Sequence, residues 1–245
     1  KNCQLGVSGI SVTTYDTLTS LNLKFRGTDY PNYLFNTVRV FHDLDDSSYE
    51  VFLEDSTLLV TTLENETIGY TEFRLTKYVS EIGFQFRKTD SLQDHFTLYG
   101  IQLNSGLPGF TYNAIGVNGA SVPSYLRCQL FEQHLKGIRP DMVVLSIGIN
   151  DAYEPGFSQS FYESNYDSLI AMIRAVNPDC ALLFTTNNDS YYRKRYPNKN
   201  AEKVRDAMIN LANKHGGAVW DMYGVMGGLG SVRTWEKKGY AKSDK

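Results

Sequence analysis

The sequence predicts a β-sandwich domain followed by an α/β domain whose parallel sheet carries helices on both faces. Over about the first hundred residues, short alternating apolar and polar stretches are separated by turns, with no helical period between them. After the Gly- and Pro-containing segment 104–109, short apolar runs alternate with helical patterns, which indicates parallel βαβ units. We therefore assign residues 1–104 to the β-sandwich and residues 105–245 to the α/β domain.

The composition is that of a globular protein and argues against several classes of partner. Of the 245 residues, 42% are hydrophobic and 21% are charged, and the net charge is −3. This charge gives no basic footprint for nucleic acid, and no apolar run approaches the roughly 18 residues that a membrane helix needs. Cys3, Cys128 and Cys180 lack metal-ligand spacing and are expected to be buried free thiols. We expect no metal, cofactor, nucleic acid or membrane span, and the oligomeric state stays open.

The strands of the first domain are predicted from alternation of apolar and polar residues. Each strand should present one face to a core and one to water. The predicted strands are residues 21–26, 38–41, 50–53, 58–60, 70–75, 82–87 and 96–103.

The second domain begins with a helix that Ser121 can cap and that should run from Val122 to about Lys136. Two amphipathic helices are predicted further on. One is closed by Gly216-Gly217, and the other carries on a single face Tyr166, Leu169, Ile170, Ile173 and Val176. Three strands are also predicted: residues 142–147, 181–186 and 218–222. The first of these is an unbroken apolar run, which is typical of a strand buried on both faces.

The predicted strand 142–147 runs into Gly148-Ile149-Asn150-Asp151, at the edge where open α/β sheets place ligands. The Asn150 amide can stabilise a developing oxyanion. A turn in which Asn150 and Asp151 bond only their own backbone explains the same residues. The motif alone is modest evidence for a site.

A second stretch, residues 112–121, combines a short predicted strand with a Gly-containing turn and a following helix. Together the two stretches resemble the SGNH (GDSL-type) hydrolase family, over about residues 109–245. The resemblance implies a flavodoxin-like fold and assigns Gly119 to the oxyanion hole through its N–H and Asn150 through its side chain. Ser243-Asp244-Lys245 resembles the start of the family's Asp-x-x-His block, which makes Asp244 the residue that would orient the catalytic His.

Two parts of the family pattern are not found in residues 1–245: the block with the nucleophilic Ser, and the triad His, which would lie two residues past Lys245. We therefore expect a partial chain and an incomplete α/β domain, with the β domain inserted between the nucleophile block and the Gly119 block. That arrangement resembles bacterial carbohydrate esterases with a carbohydrate-binding-type module, including peptidoglycan O-acetylesterases. The resemblance implies a periplasmic or extracellular location.

The other candidate nucleophiles and bases have simpler interpretations. Ser121 is interpreted as a helix cap and Ser146 as a buried strand residue. The four histidines, His42, His95, His134 and His215, are interpreted as satisfied structural or surface residues.

The leading hypothesis is a serine esterase that removes acyl groups, acetyl first of all, from a polysaccharide or peptidoglycan, with an acylated glycan or small ester as substrate. The alternative is a non-catalytic carbohydrate-binding protein with a degenerate hydrolase domain. Residues 187–194 contain Tyr191-Tyr192-Arg193, which either line a glycan site or belong to a solvated loop.

Overall fold

A computed structural model of the chain describes residues 4–25, 33–193 and 195–242. The first part of the chain is made of β strands. Its described residues contain one helical turn, the 3-10 helix Ser56–Leu58. The strands are β1 (Val12–Thr14), β2 (Leu18–Lys24), β3 (Phe35–His42), β4 (Glu50–Leu53), β5 (Leu59–Asn65), β6 (Tyr70–Val79), β7 (Glu81–Arg87) and β8 (Phe96–Asn104). Each of the seven strands predicted in this region is confirmed.

Helices and strands alternate in the rest of the chain. In order they are α1 (Val122–Leu126), α2 (Phe131–Ile138), β9 (Met142–Leu145), α3 (Ile149–Ala152), α4 (Gln159–Val176), β10 (Ala181–Thr185), β11 (Tyr191–Tyr192), β12 (Tyr196–Pro197), α5 (Asn200–His215), β13 (Ala218–Trp220), α6 (Met222–Met226) and α7 (Val232–Lys237). Among the described residues, no helix is both long and apolar enough to cross a membrane.

The chain forms two compact units. The first unit consists of Lys1–Gly116 with Gln129–Gly137, and the second of Val117–Cys128 with Ile138–Lys245. Most of α2 therefore belongs with the β strands. The assignment of domains to residues 1–104 and 105–245 stays a prediction.

The first unit contains two antiparallel sheets, with strand orders β1-β8-β3-β6-β5 and β2-β7-β4. The apolar residues of both sheets bury themselves in one cluster, because alternate positions along each strand point the same way. Phe73 of β6 and Phe84 of β7 lie in contact there, with ring centroids 6.1 Å apart. The interpretation of this unit as a carbohydrate-binding β-sandwich stays a prediction.

The second unit contains a parallel sheet of three strands, ordered β13-β10-β9. Val143 pairs in parallel with Leu182, as predicted. Leu182 and Phe184 are buried beneath α4 and α5, and Tyr166 of α4 contacts Phe184.

The opposite face of this sheet is open, so the prediction of helices on both faces does not hold for the described residues. Met142, Val144 and Trp220 lie on that face and are 56%, 48% and 54% exposed. The prediction that the strand at 142–147 is buried on both faces is wrong, since only the helix-facing side of β9 is covered. An apolar run cannot by itself distinguish one covered face from two.

Two further predictions differ from the structure. The short strand expected within residues 112–121 does not form. The helix expected from Val122 to Lys136 is broken into α1 and α2, because the residues between them bond to Leu5. Leu130 N–H donates to Leu5 O at 3.0 Å, and Leu5 N–H donates to the side-chain Oε1 of Gln129 at 3.2 Å.

The buried polar residues of the first unit include two histidines. His42 contacts Thr71 Oγ1 through Nε2 at 2.8 Å and Asp43 O through Nδ1 at 2.6 Å, so the interpretation as a satisfied structural residue is confirmed. Burial lowers the pKa of His42 to about 4. His134 is buried against Phe41 and Tyr99, but its Nδ1 has no hydrogen-bond partner in the described structure, so it is not fully satisfied.

The two remaining histidines each lie beside a carboxylate, and the two described cysteines are buried. His95 lies beside Asp94 and Asp43, and His215 at the end of α5 bonds Asp167 at 2.8 Å, both as interpreted. Cys128 and Cys180 are buried free thiols, as predicted, while Cys3 lies outside the described residues.

Candidate active site

Asn150 lies at the carboxyl end of β9, where the chain turns through residues 146–148 into the short helix α3. Gly148 is the N-cap of α3, and a Cβ added to it would lie 2.7 Å from both Tyr162 Oη and Val204 Cγ1. Only glycine lets the backbone approach α4 and α5 this closely. The Gly of the sequence motif is therefore a packing requirement of the turn that presents Asn150.

Two buried tyrosines of α4 hold this turn. The Tyr162 and Tyr166 hydroxyls both donate to Ile147 O, at 2.7 and 2.6 Å. Burial raises the pKa of both phenols, so both remain protonated donors. A carbonyl with two lone pairs can accept both bonds, which fixes the backbone one residue before Gly148.

Gly119 lies in a turn in which Ala120 N–H donates to Val117 O at 3.1 Å. Its φ of +81° is in the left-handed region, which favours glycine. The Asn150 side chain donates through Nδ2 to Ala120 O at 2.8 Å, one residue beyond Gly119. The structure thus brings together the Gly119 turn and Asn150, two of the predicted site residues.

Asp151 makes a second bond between the same two segments. Both of its carboxylate oxygens lie 3.3 Å from Val122 N, the first residue of α1. Asp151 is buried, and this burial raises the pKa of its carboxyl to about 6. The interpretation that Asn150 and Asp151 bond only their own backbone is therefore wrong, since both reach residues about thirty positions away.

The serine interpretations have different outcomes. Ser121 is the N-cap of α1, and its N–H donates to Ser124 Oγ at 3.1 Å, as predicted. Ser146 is exposed and follows the end of β9, so its interpretation as a buried strand residue is wrong. Asp244, the third predicted site residue, lies outside the described residues.

A tyrosine-rich hairpin borders this region. β11 and β12 pair antiparallel with Tyr192 opposite Tyr196, and the Tyr192 ring lies 5.0 Å from the ring of Tyr153, which directly follows α3. The Arg193 N–H donates to Tyr153 Oη at 3.0 Å. The described part of residues 187–194 includes β11, one strand of this hairpin, which is anchored beside α3. The interpretation that these residues line a glycan site stays a prediction.

Comparison with known protein families shows which family the chain belongs to. The sequence model of the GDSL-like Lipase/Acylhydrolase family matches residues 87–238, which is more than half of the chain and includes Gly119 and Asn150. The chain belongs to this family. None of the curated proteins matches the sequence.

The fold of this GDSL-like chain is similar to that of a solved structure. A structure described as "Peptidoglycan O-acetylesterase in action, 5 min" matches with a TM-score of 0.77 at 17% identity, over 100% of this chain and 67% of that chain. At that identity the likeness shows the fold alone, which is SGNH-like.

Two other matches are looser. They are a lipase/acylhydrolase from Enterococcus faecalis (TM-score 0.36, 20% identity, 44% of this chain and 54% of that chain) and a family two carbohydrate esterase from Cellvibrio japonicus (TM-score 0.30, 11% identity, 86% and 88%). Their TM-scores are too low to support an argument.

Sequence reasoning missed a buried carboxylate in the loop after β10 of this GDSL-like chain. Asp189 is fully buried, and its Oδ2 accepts from Val232 N, the first residue of α7, at 3.0 Å. Its Oδ1 and the Ser231 hydroxyl have no partner among the described residues. Asp189 ties the loop after β10 to the last helix. The only sequence signal was its place after a strand's carboxyl end.

An open cavity of about 470 Å³ is lined by Trp235, Lys238 and Tyr240. None of these three is a predicted site residue. The Trp235 indole donates to Met226 O at 3.0 Å, so its main observed role is to pack the last loop.

Proposed function

We propose that this protein is a serine esterase that removes acyl groups, acetyl first of all, from a polysaccharide or from peptidoglycan. Membership of a lipase/acylhydrolase family supports ester hydrolysis. An acylated glycan as the substrate would place the protein in the periplasm or outside the cell.

The observation that carries the proposal is the bond from Asn150 Nδ2 to Ala120 O at 2.8 Å. It holds the Asn150 carboxamide next to the Gly119 turn, which is the arrangement an oxyanion hole built from these two residues requires. A carboxamide has two N–H donors, so one can hold the turn while the other faces a ligand. No acceptor for the Gly119 N–H is found among the described residues.

In the proposed mechanism a Ser oxygen bonds the acyl carbon while a His takes its proton. The His then protonates the departing sugar oxygen, and water repeats the sequence to release the acid. The tetrahedral oxyanion of each step would accept from Gly119 N–H and Asn150 Nδ2. Asp244 would orient the His. The first unit would serve as a β-sandwich module of carbohydrate-binding type, which its two antiparallel sheets around one core support.

The proposal is tested by Asn150→Ala in the full-length protein, with 4-nitrophenyl acetate and an O-acetylated glycan as substrates. We expect kcat to fall by about 10²–10³ with little change in KM, because the lost bond forms mainly in the transition state. Asn177→Ala is the matched control. It removes a similar amide bond, Nδ2 to Pro140 O at 2.9 Å, at the amino end of β9, and should lower stability but leave kcat unchanged.

An unchanged kcat in Asn150→Ala would remove the oxyanion role. If the unmutated full-length protein binds glycan and hydrolyses neither substrate, the alternative of a non-catalytic carbohydrate-binding protein replaces the esterase.

A further inference from the structure

Three tyrosines and one arginine share a surface of the second unit. Tyr192 and Tyr196 are directly paired across the β11–β12 hairpin, so their side chains lie on one face. Tyr153 adds its ring against Tyr192, and Tyr153 and Tyr196 are 45% and 64% exposed. We call Tyr153, Tyr192, Tyr196 and Arg193 the tyrosine platform. An exposed set of aromatic rings on a short, tied hairpin is a typical binding surface.

Arg193 gives this platform a positive charge that has no carboxylate partner in the described structure. Its guanidinium lies 5.3 Å from the centre of the Tyr192 ring, and none of the ion pairs among the described residues includes it. Its φ of +52° is rare for a residue with a side chain. The bond from its N–H to Tyr153 Oη holds it in this conformation. Such unusual backbone conformations cluster at ligand-binding sites.

The platform is tied directly to the predicted oxyanion residue. Tyr153 N–H donates to Asn150 O at 3.2 Å. Asn198, which follows β12, donates through Nδ2 to Ala152 O at 3.1 Å, and Asn200 donates to the same carbonyl at 3.2 Å. Together with the bond from Arg193 N–H to Tyr153 Oη, these three bonds fix the hairpin, Tyr153 and the end of α3 to one another. A ligand on the platform would lie beside the Asn150 helix.

We propose that the tyrosine platform binds a sugar that carries a carboxylate. The rings offer flat apolar faces for a pyranose, and the Arg193 guanidinium offers paired donors that match a carboxylate. This assigns an acidic glycan as the substrate class, and it rests on the proposed function because the platform borders Asn150. Arg233 also lies over a tyrosine, Tyr191, with 4.7 Å to the ring centre. Tyr191 precedes Tyr192 in the strand and therefore faces the other way.

The test is calorimetric titration of the full-length protein with tetragalacturonate, an acidic oligosaccharide, and with cellotetraose, a neutral one. Tetragalacturonate should bind about tenfold more tightly than cellotetraose. Tyr192→Ala should weaken tetragalacturonate binding about tenfold, and Tyr192→Phe, which keeps the ring, should restore most of the affinity. Arg193→Gln should remove the preference for the acidic sugar.

Two variants serve as matched controls. Phe161→Ala removes an exposed aromatic ring from α4, and Arg233→Gln removes a guanidinium that lies over a tyrosine on the other side of the hairpin. Neither should change binding. Equal affinity for both sugars, or unchanged binding in Tyr192→Ala, would overturn the proposal. So would equal losses in Tyr192→Ala and Phe161→Ala.

Failure here is distinguishable from failure of the esterase proposal, because titration needs no turnover. Glycan binding without hydrolysis of 4-nitrophenyl acetate would remove the esterase and leave the platform. Hydrolysis without selective glycan binding would do the reverse.

Discussion

At the residue scale, the chemistry of Asn150 explains why an amide suits its position. One Nδ2 hydrogen is used on Ala120 O, which anchors the side chain before any substrate arrives. In the proposed oxyanion hole, a carboxylate of the same shape would place negative charge against that carbonyl and against a developing oxyanion. An alanine would leave both the turn and the oxyanion without a donor. Preorganised donors of this kind need no reorientation during the reaction.

Asp151, the next residue, gives a prediction about pH. Burial raises the pKa of its carboxyl to about 6, from 3.8, so the fold favours the protonated form. The stabilisation is full below pH 4 and is lost as the pH rises to about 6, which amounts to about 3 kcal/mol. Asp151→Asn has no such titration. The free energy of unfolding of Asp151→Asn, minus that of the unmutated protein, should therefore be larger at pH 7 than at pH 4.

Denaturant unfolding at the two pH values measures this difference. Asp179→Asn, which removes a carboxylate at an exposed position of the same unit, is the matched control. A difference for Asp151→Asn that stays constant from pH 4 to pH 7 would contradict the burial argument.

At the scale of the element, the turn between β9 and α3 depends on close packing. Gly148→Ala would push a methyl group to 2.7 Å from Val204 Cγ1, in a region that α4 and α5 already fill. Overpacking of this kind costs about 1–3 kcal/mol. We expect the free energy of unfolding to fall by that amount in chemical denaturation.

Gly156→Ala is the control for this prediction, because a Cβ there meets no atom within 4 Å. Its free energy of unfolding should be unchanged or slightly higher. Equal effects from the two substitutions would show that packing at Gly148 is looser than the structure indicates.

Elements set by local pattern were predictable, whereas those set by distant contacts were not. β7 alternates apolar and polar side chains, so Phe84 and Phe86 identify its buried face without any other information. The break between α1 and α2 follows from bonds with Leu5, more than a hundred residues away. Likewise, motif spacing indicated Gly119 and Asn150, but no local signal indicated that Asp151 would reach Val122.

At the scale of the whole molecule, the two units should respond to acid in opposite directions. Burial lowers the pKa values of His42 and His134 to about 4, so the first unit favours their neutral forms. The stabilisation from each is full above pH 6.5 and is lost as the pH falls towards 4, by about 3 kcal/mol for His42. Asp151 of the second unit changes stability in the other direction over nearly the same range.

Hydrogen exchange measured by mass spectrometry separates the two responses. Between pH 6.5 and 4.5, protection of β3 and β7, corrected for intrinsic exchange, should fall more than protection of α4. His42→Gln should reduce the loss in the first unit, whereas His215→Gln, in the second unit, should not. Equal loss of protection in both units would contradict the assignment of opposite pH responses to the buried histidines of the first unit and to Asp151 of the second.

Gly119 and Asn150 are proposed to bind the oxyanion of an ester substrate. The most direct test is a crystal structure of the full-length protein after reaction with an alkyl fluorophosphonate, whose phosphonyl oxygen stands for the oxyanion. We expect that oxygen to lie about 2.7–3.1 Å from both Gly119 N and Asn150 Nδ2. A phosphonyl oxygen bound by other donors, or a protein that never forms the covalent adduct, would contradict it.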